Sequence, residues 1–317
     1  MLRAAAFLLA WLAFVVAVVA MAARYLPVVN HAVLITAALS PYLMLVGAGL
    51  ATALMVGTRS WLAAGVAFLL VALTVLIRLP QFTGPQRAPG PTVPIRVVTA
   101  NLMEGAADPD ALIGIARADA DVLMVQELTA ELAGRLRQLD ADFPYRAVDA
   151  RPAASGVGIW SRYPITQSAR DPGYQLGVVT ASLRVPGAAS EVTVMAVHLV
   201  GPWPQPIDGW RREIAALPRT LAAAARTAGN GAVVVAGDLN ATADMKPFRQ
   251  LLGGGFRDAA EQSGAGLLRT YPSNRSAPPL IGIDHVLTLN SWTQTMRTVR
   301  IPGSDHLGVT ATILVAQ

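Results

Sequence analysis

Five polar clusters, each at the edge of an apolar or β-branched run, carry most of the chemistry this chain can offer. GDLN (237–240) follows the run Ala232–Ala236 and places Asp238 and Asn240 just past the end of a buried strand. RVVTAN ends at Asn101, DVLMVQE at Glu127 and VTVMAVH at His198, while GSDH (303–306) precedes the run GVTATILV. Carboxylates, amides and imidazoles of this kind can bind a hard cation, hold a phosphate and move a proton. A rigid sheet can aim several such strand-end groups at one point. Singly, each has a plainer reading. Asp-x-Asn suits an ordinary turn, a histidine in an apolar strand is commonly a core residue bonded to backbone, and Glu127 before Thr129 could open a helix. Jointly the plain readings fare badly, because His198 and His306 fall in these clusters and His285 in a further polar segment, IDHV (283–286), leaving out only His31. His31 lies between apolar runs and is assigned no role. His285, next to Asp284, is expected on the opposite face of its strand.

The elements that must position these groups form an α/β pattern. From Ile95, short β-branched runs alternate with Ala/Leu/Arg stretches. Strands are expected at 95–100, 121–126, 156–160, 177–185, 191–198, 232–236, 283–289 and 308–315, and helices at 108–118, 129–139, 208–227 and 245–253. Asp108-Pro109 offers an N-cap followed by an N1 proline. Residues 95–317 suffice for one large core of two packed sheets with helices outside, a four-layer α/β sandwich.

Residues 1–78 differ in kind. Uncharged runs at 4–23, 32–57 and 61–77 each approach the length needed to cross a bilayer core of roughly 30 Å, so this part reads as a three-helix transmembrane region. Residues 79–94 contain five prolines and two glycines and read as an extended spacer holding the next domain off the bilayer. Met1–Ala23 has the form of an uncleaved signal-anchor. That form places the protein in the cytoplasmic membrane as a multi-pass chain, with residues 95–317 outside the cytoplasm.

Charge follows the same division. The chain has 25 basic and 20 acidic residues, and residues 1–93 hold five arginines and no acid, which leaves 20 of each in residues 94–317. The basic excess therefore lies with the apolar helices, and bulk charge does not argue for nucleic acid as partner. With no cysteine in the chain, a thiol nucleophile, a disulfide framework and a Cys-ligated zinc are excluded.

Taken in order, Ala100-Asn101, Val125–Glu127, Ser161–Ile165, Val197–Leu199, GDLN, Ile283–Val286 and GSDH resemble the endonuclease/exonuclease/phosphatase superfamily, the deoxyribonuclease-I-like fold, over about residues 94–317. The resemblance implies a divalent-metal-dependent phosphoesterase using Mg²⁺, with Mn²⁺ as a possible substitute. It implies Glu127 as metal ligand with Asn101 beside it and Asp305 near the ion. His306 becomes the general base, oriented by Asp284, and His198 a donor to a non-bridging phosphate oxygen. Asp238 and Asn240 would orient the nucleophile and the phosphate. Several superfamily members carry a metal-binding acid two residues after the first Asn; here Met103 stands there, with Glu104 next, so either Glu127 acts with water alone or Glu104 substitutes. Substrate stays open among a lipid head group, a nucleotide and nucleic acid. The rival readings are a membrane-tethered nuclease and an inactive membrane scaffold. In the loop GPWPQPIDGW (201–210), Trp203 is a candidate substrate contact, and Trp203 and Trp210 could meet an interface or simply pack against the domain.

Overall fold

The computed structural model describes residues 1–84 and 87–317. The helices are α1 (Leu2–Tyr25), α2 (His31–Ala38), α3 (Ser40–Gly57), α4 (Trp61–Arg78), α5 (Pro109–Asp119), α6 (Ala130–Arg135), α7 (Asp208–Ala228), α8 (Lys246–Leu251) and α9 (Ala259–Ser263). The strands are β1 (Thr92–Asn101), β2 (Val122–Gln126), β3 (Tyr145–Asp149), β4 (Val157–Ser161), β5 (Ile165–Arg170) and β6 (Gly177–Leu183) in the first half of the domain. The second half adds β7 (Val192–His198), β8 (Val233–Asp238), β9 (Arg257–Asp258), β10 (Asp284–Leu289), β11 (Ser291–Arg300) and β12 (Leu307–Ala316).

Two six-stranded sheets form, in the orders β11-β12-β1-β2-β4-β3 and β5-β6-β7-β8-β10-β9. Both are mixed, with parallel pairs β1–β2 and β7–β8 and antiparallel pairs elsewhere. Side-chain alternation along a strand decides the layers. Val97, Val122 and Ile159 meet Val194, Val234 and Val286 between the sheets. Their neighbours Val98, Leu123 and Trp160 face outward onto Leu112 and Ala116 of α5 and Leu132 of α6. Met195, Val233 and Leu287 face outward on the other sheet, onto Trp210, Ile214 and Leu217 of α7 and Phe248 of α8. This is the expected four-layer sandwich.

Edge strands β3, β5 and β11 were absent from the expected set. They are half in water: β5 reads Ile-Thr-Gln-Ser-Ala-Arg and is mostly exposed, so it has no apolar signature to read.

In the N-terminal region, Leu2–Tyr25, Ser40–Gly57 and Trp61–Phe82 are helices long and apolar enough to cross a membrane. Their packing is inside-out relative to a soluble bundle. Ala10, Ala13, Ala17, Ala48, Ala51 and Ala67 fill the helix contacts, while Leu8, Leu12, Val46, Leu62, Phe68 and Leu69 point outward. A Cβ at Gly47 would lie 2.8 Å from the Ala13 carbonyl, so the glycine is what lets α1 and α3 approach this closely.

Two expectations are corrected here. The run 32–57 is two helices, because Pro41 has no N–H with which to continue the ladder of α2 and stands instead in the first turn of α3, where none is needed. The first, α2, is capped by Asn30, whose side chain accepts from the Val33 amide at 2.9 Å. It packs Leu34 and Ala37 into the core on the α7 side of the sandwich. The expected spacer 79–94, of which Pro85 and Gln86 lie outside the described residues, is not an extended arm. Leu79–Phe82 is a helical turn, the Gln81 carbonyl accepts from the Gly266 amide at 2.7 Å, and residues 92–94 already belong to β1. Arg24 at the end of α1 and Arg78 at the end of α4 both pair with buried Asp244. The Tyr42 hydroxyl in α3 donates to the Leu280 carbonyl at 2.7 Å. The helices are docked on the domain.

Candidate active site

Strand register gathers the polar groups. Across β7, β8 and β10, His198 lies opposite Asp238 and Asp238 opposite Asp284, so three reactive side chains end neighbouring strands at one level. From the other sheet, β1 and β2 end together at Asn101 and Gln126, and Glu127 follows with a left-handed backbone (φ 59°). The Asn101 side-chain amide donates to Glu127 Oε1 at 2.9 Å and to Asp238 Oδ2 at 3.1 Å, stitching the two sheets together.

Gly237 makes the close approach possible: its φ is 149° and an added Cβ would sit 1.9 Å from the Val197 carbonyl oxygen. The GSDH turn is pinned by hydrogen bonds. Ser304 Oγ donates to the Asn101 carbonyl at 2.8 Å and accepts from the His306 amide at 3.0 Å.

His306 Nδ1 donates to Asp284 Oδ2 at 2.8 Å, and its Nε2 faces Asp238 at 3.8 Å. Burial opposes charge on this imidazole, but the Asp284 carboxylate, with Asp238 and Asp305 behind it, outweighs burial and holds His306 up at about 10. His198 behaves oppositely: burial, with His306 adding repulsion, pushes it down to about 4. Its Nδ1 lies 3.0 Å from the Ala154 carbonyl. A carbonyl only accepts, so Nδ1 carries the proton and the neutral ring presents a lone pair at Nε2. That lone pair lies 3.6 Å from Asp238 and 3.8 Å from Glu127. The expected donation from His198 to phosphate therefore needs a second proton, which the free site opposes.

Burial raises Glu127 and Asp238 above the usual carboxylate range. Glu127 Oε2 accepts from the Glu104 amide at 2.7 Å. It is the backbone of Glu104, beside a left-handed Met103, that supports Glu127. Asn240 donates through its backbone to Asp238 Oδ1 at 2.8 Å and through its side chain to the Leu199 carbonyl at 2.9 Å.

One cavity of about 550 Å³ collects Glu127, His198, Asp238, Asn240, Asp305, His306, Glu104 and Trp203. No Lys or Arg is among its described lining residues. The donor set fits a hard divalent ion: oxygen donors predominate, and two desolvated carboxylates meet no cationic side chain except the imidazoles. Asp238, Asp284 and His306 also offer ligand atoms within 4.8 Å of one another, yet the 2.8 Å bond between His306 and Asp284 already engages that pair.

Trp210 is not at an interface; it is fully buried under α7 and donates to the Leu239 carbonyl at 3.3 Å. His285 points away from the cavity, with Nε2 2.8 Å from the Ala241 carbonyl. Two residues beside the site had no signal in the sequence. Tyr271 tilts its ring against His306 at 4.8 Å between centroids. His31 of α2 places Nε2 3.0 Å from the Pro202 carbonyl and meets Trp203 edge to face, with ring centroids 5.0 Å apart.

Two mixed sheets sandwiched between helices thus gather carboxylate, amide and imidazole groups at neighbouring strand ends, a donor set suited to a hard cation and a phosphate. The profile of the Endonuclease/Exonuclease/phosphatase family matches residues 98–306, and the chain belongs to that family. Members include metal-dependent phosphodiesterases and nucleases. Among solved structures the chain is similar to an endonuclease/exonuclease/phosphatase from Bacteroides vulgatus, at 15% identity and TM-score 0.58, covering 70% of this chain and 98% of that one. It is also similar to D. rerio TDP2 complexed with single strand DNA product, at 18% identity and TM-score 0.57, covering 69% and 98%. Truncated Caenorhabditis elegans TDP2 gives 13% identity and TM-score 0.57, covering 70% and 98%. At such identities the likeness is one of fold. No curated protein matches the chain.

Proposed function

We propose that the protein is a membrane-anchored, divalent-metal-dependent phosphoesterase that cleaves a P–O ester bond by attack of water. The observation that carries this reading is the joining, in one cavity, of a His306–Asp284 pair to a Glu127–Asn101–Asp238 cluster that spans both sheets. His306 Nε2 accepts the proton of the attacking water as the new P–O bond forms, and Asp284 holds the ring tautomer and steadies the imidazolium. The ester oxygen departs with the alcohol and takes up a proton. Asp238 and Asn240 orient water and phosphate. His198 donates to a non-bridging oxygen once doubly protonated, a state that the incoming phosphate charge favours. Glu127, with Asn101 and Asp305 nearby, would hold Mg²⁺ or Mn²⁺, which would neutralise charge on the phosphoryl oxygens. With no Lys or Arg among the described cavity residues, the imidazoles are the other cationic groups that could share that task.

A nuclease is the second reading, favoured by the likeness to the D. rerio TDP2 fold that holds a DNA product. Against it stands the same lack of a Lys/Arg footprint. The test uses the full chain in detergent with bis-p-nitrophenyl phosphate. Activity is expected with Mg²⁺, abolished by EDTA and strongly reduced in Glu127→Gln. Turnover indifferent to EDTA refutes the reading.

A further inference from the structure

The catalytic cavity has two unlike ends. Beyond Glu127, Asp238 and His306 its wall becomes hydrocarbon, built by Leu34, Ile35, Leu39, Leu280, Ile281 and Trp203. Three of these come from α2 and its end, outside the span matched by the family profile. They belong to the segment that joins two of the long apolar helices. This wall is held firmly. Leu34 and Ala37 are buried in the α7 core, Asn30 caps the helix, and His31 reaches the Pro202 and Gln205 carbonyls at 3.0 and 3.2 Å.

Although they line the cavity, Ile35, Trp203 and Leu280 remain 44%, 61% and 47% exposed. Along the chain from α2 back to α1, Val29, Leu26 and Tyr25 are exposed as well. Large exposed apolar groups at a mouth call for an apolar occupant. A polynucleotide does not suit this wall, since it would bring a charge at every phosphate to a surface without a described Lys or Arg. A phosphoester with one hydrocarbon arm matches both ends at once.

We infer that the substrate is an amphiphilic phosphoester, a lipid whose phosphate enters the polar end while the start of its hydrocarbon arm lies on the α2–Trp203 wall. The inference rests on the phosphoesterase reading above. It gives the N-terminal helices a second role, since besides anchoring the chain they deliver a substrate wall that the sandwich alone lacks.

The test uses the full chain in detergent with Mg²⁺ and a series of p-nitrophenyl alkyl phosphates, methyl to octyl, sharing one leaving group. With the arm on an apolar wall, kcat/KM should climb with chain length, by up to roughly fourfold per methylene while the wall is being filled. Ile35→Asp, an exposed position that a folded chain can accommodate, should flatten this climb, chiefly through KM, and Trp203→Ala should do so in part. Because the octyl-to-methyl ratio of each variant is compared with the wild-type ratio in the same micelles, partitioning of substrate into detergent cancels between them. A wild-type rate independent of chain length overturns the inference, as does a slope unchanged in Ile35→Asp. Faster cleavage of a single-stranded DNA oligonucleotide than of the octyl ester also overturns it, while leaving the phosphoesterase reading intact. Failure to hydrolyse the alkyl series, bis-p-nitrophenyl phosphate and DNA alike defeats both.

Discussion

A general base must be neutral when substrate arrives, yet the groups that orient His306 also favour its cation. Asp284 bonds it at 2.8 Å, and the surrounding carboxylates hold it at about 10. A raised value means that the base form appears only at higher pH, so the acid limb of the rate profile should lie above the ordinary histidine position of about 6.5. A cation held at Glu127, as proposed, would draw the limb partly back. Asp284→Asn should move the limb to lower pH and cut the maximal rate by at least about tenfold. A limb that stays in place would remove Asp284 as the cause. His306→Ala should lose at least ~10²-fold in kcat. The second histidine makes a stability prediction. His198 is depressed to about 4, so the unfolded chain binds its proton first, and the stability from keeping it neutral is present above about pH 6.5 and lost as pH falls toward 4. Burial raises Asp238, which works in the opposite sense over the same range, so in EDTA-treated protein the His198 part is read as the difference between wild type and a His198 variant. His198→Gln should make the fall of thermal midpoint between pH 6.5 and 4 shallower than in wild type.

Among the helices and strands, the contact between the apolar helices and the sandwich turns on one acid. Asp244 is buried between Arg24 of α1 and Arg78 of α4, and its backbone carbonyl accepts from Arg249 at 2.6 Å. Removing one partner from a buried ionic group leaves the other charges uncompensated, a loss of about 3–5 kcal/mol. Asp244→Ala should therefore lower the thermal midpoint in detergent well beyond an exposed control such as Asp208→Ala. Because α2 lies within the same docked region, it should also weaken catalysis without touching the reacting groups. Equal midpoints for the two variants would show that the helices are held by packing alone.

For the full chain in its membrane, we propose that the N-terminus is cytoplasmic and the catalytic domain is outside. Arg24 and Arg78 stand at the domain-side ends of α1 and α4, but both are spent on Asp244, which removes them from a count of free positive charge. Arg3 and Arg59, at the opposite end, then outnumber Arg87, which stands exposed on the domain side. An alkaline phosphatase fused after Gln317 should be active in a bacterial host, and a green fluorescent protein at the same point dark. The reverse pattern would place the domain in the cytoplasm.

Residue types and short-range order told a good deal on their own. Apolar runs end in Asn101, Glu127, His198 and Asp238 because buried strands exclude polar groups until they reach a loop, and that rule is local. The sandwich and its polar strand ends were therefore legible, as was the apolar character of residues 1–78. Only folding in three dimensions decided what the register and docking bring about. Register sets His198, Asp238 and Asp284 side by side, although long stretches of chain separate them. The tautomer of His198 follows from a carbonyl at Ala154 that no spacing foretells. Helix α2 left no separate mark, because its apolar residues read the same whether they face lipid, core or substrate. Its place beside the catalytic groups depends on contacts between residues far apart in the chain, such as His31 with Pro202, and such contacts exist only once the chain has folded.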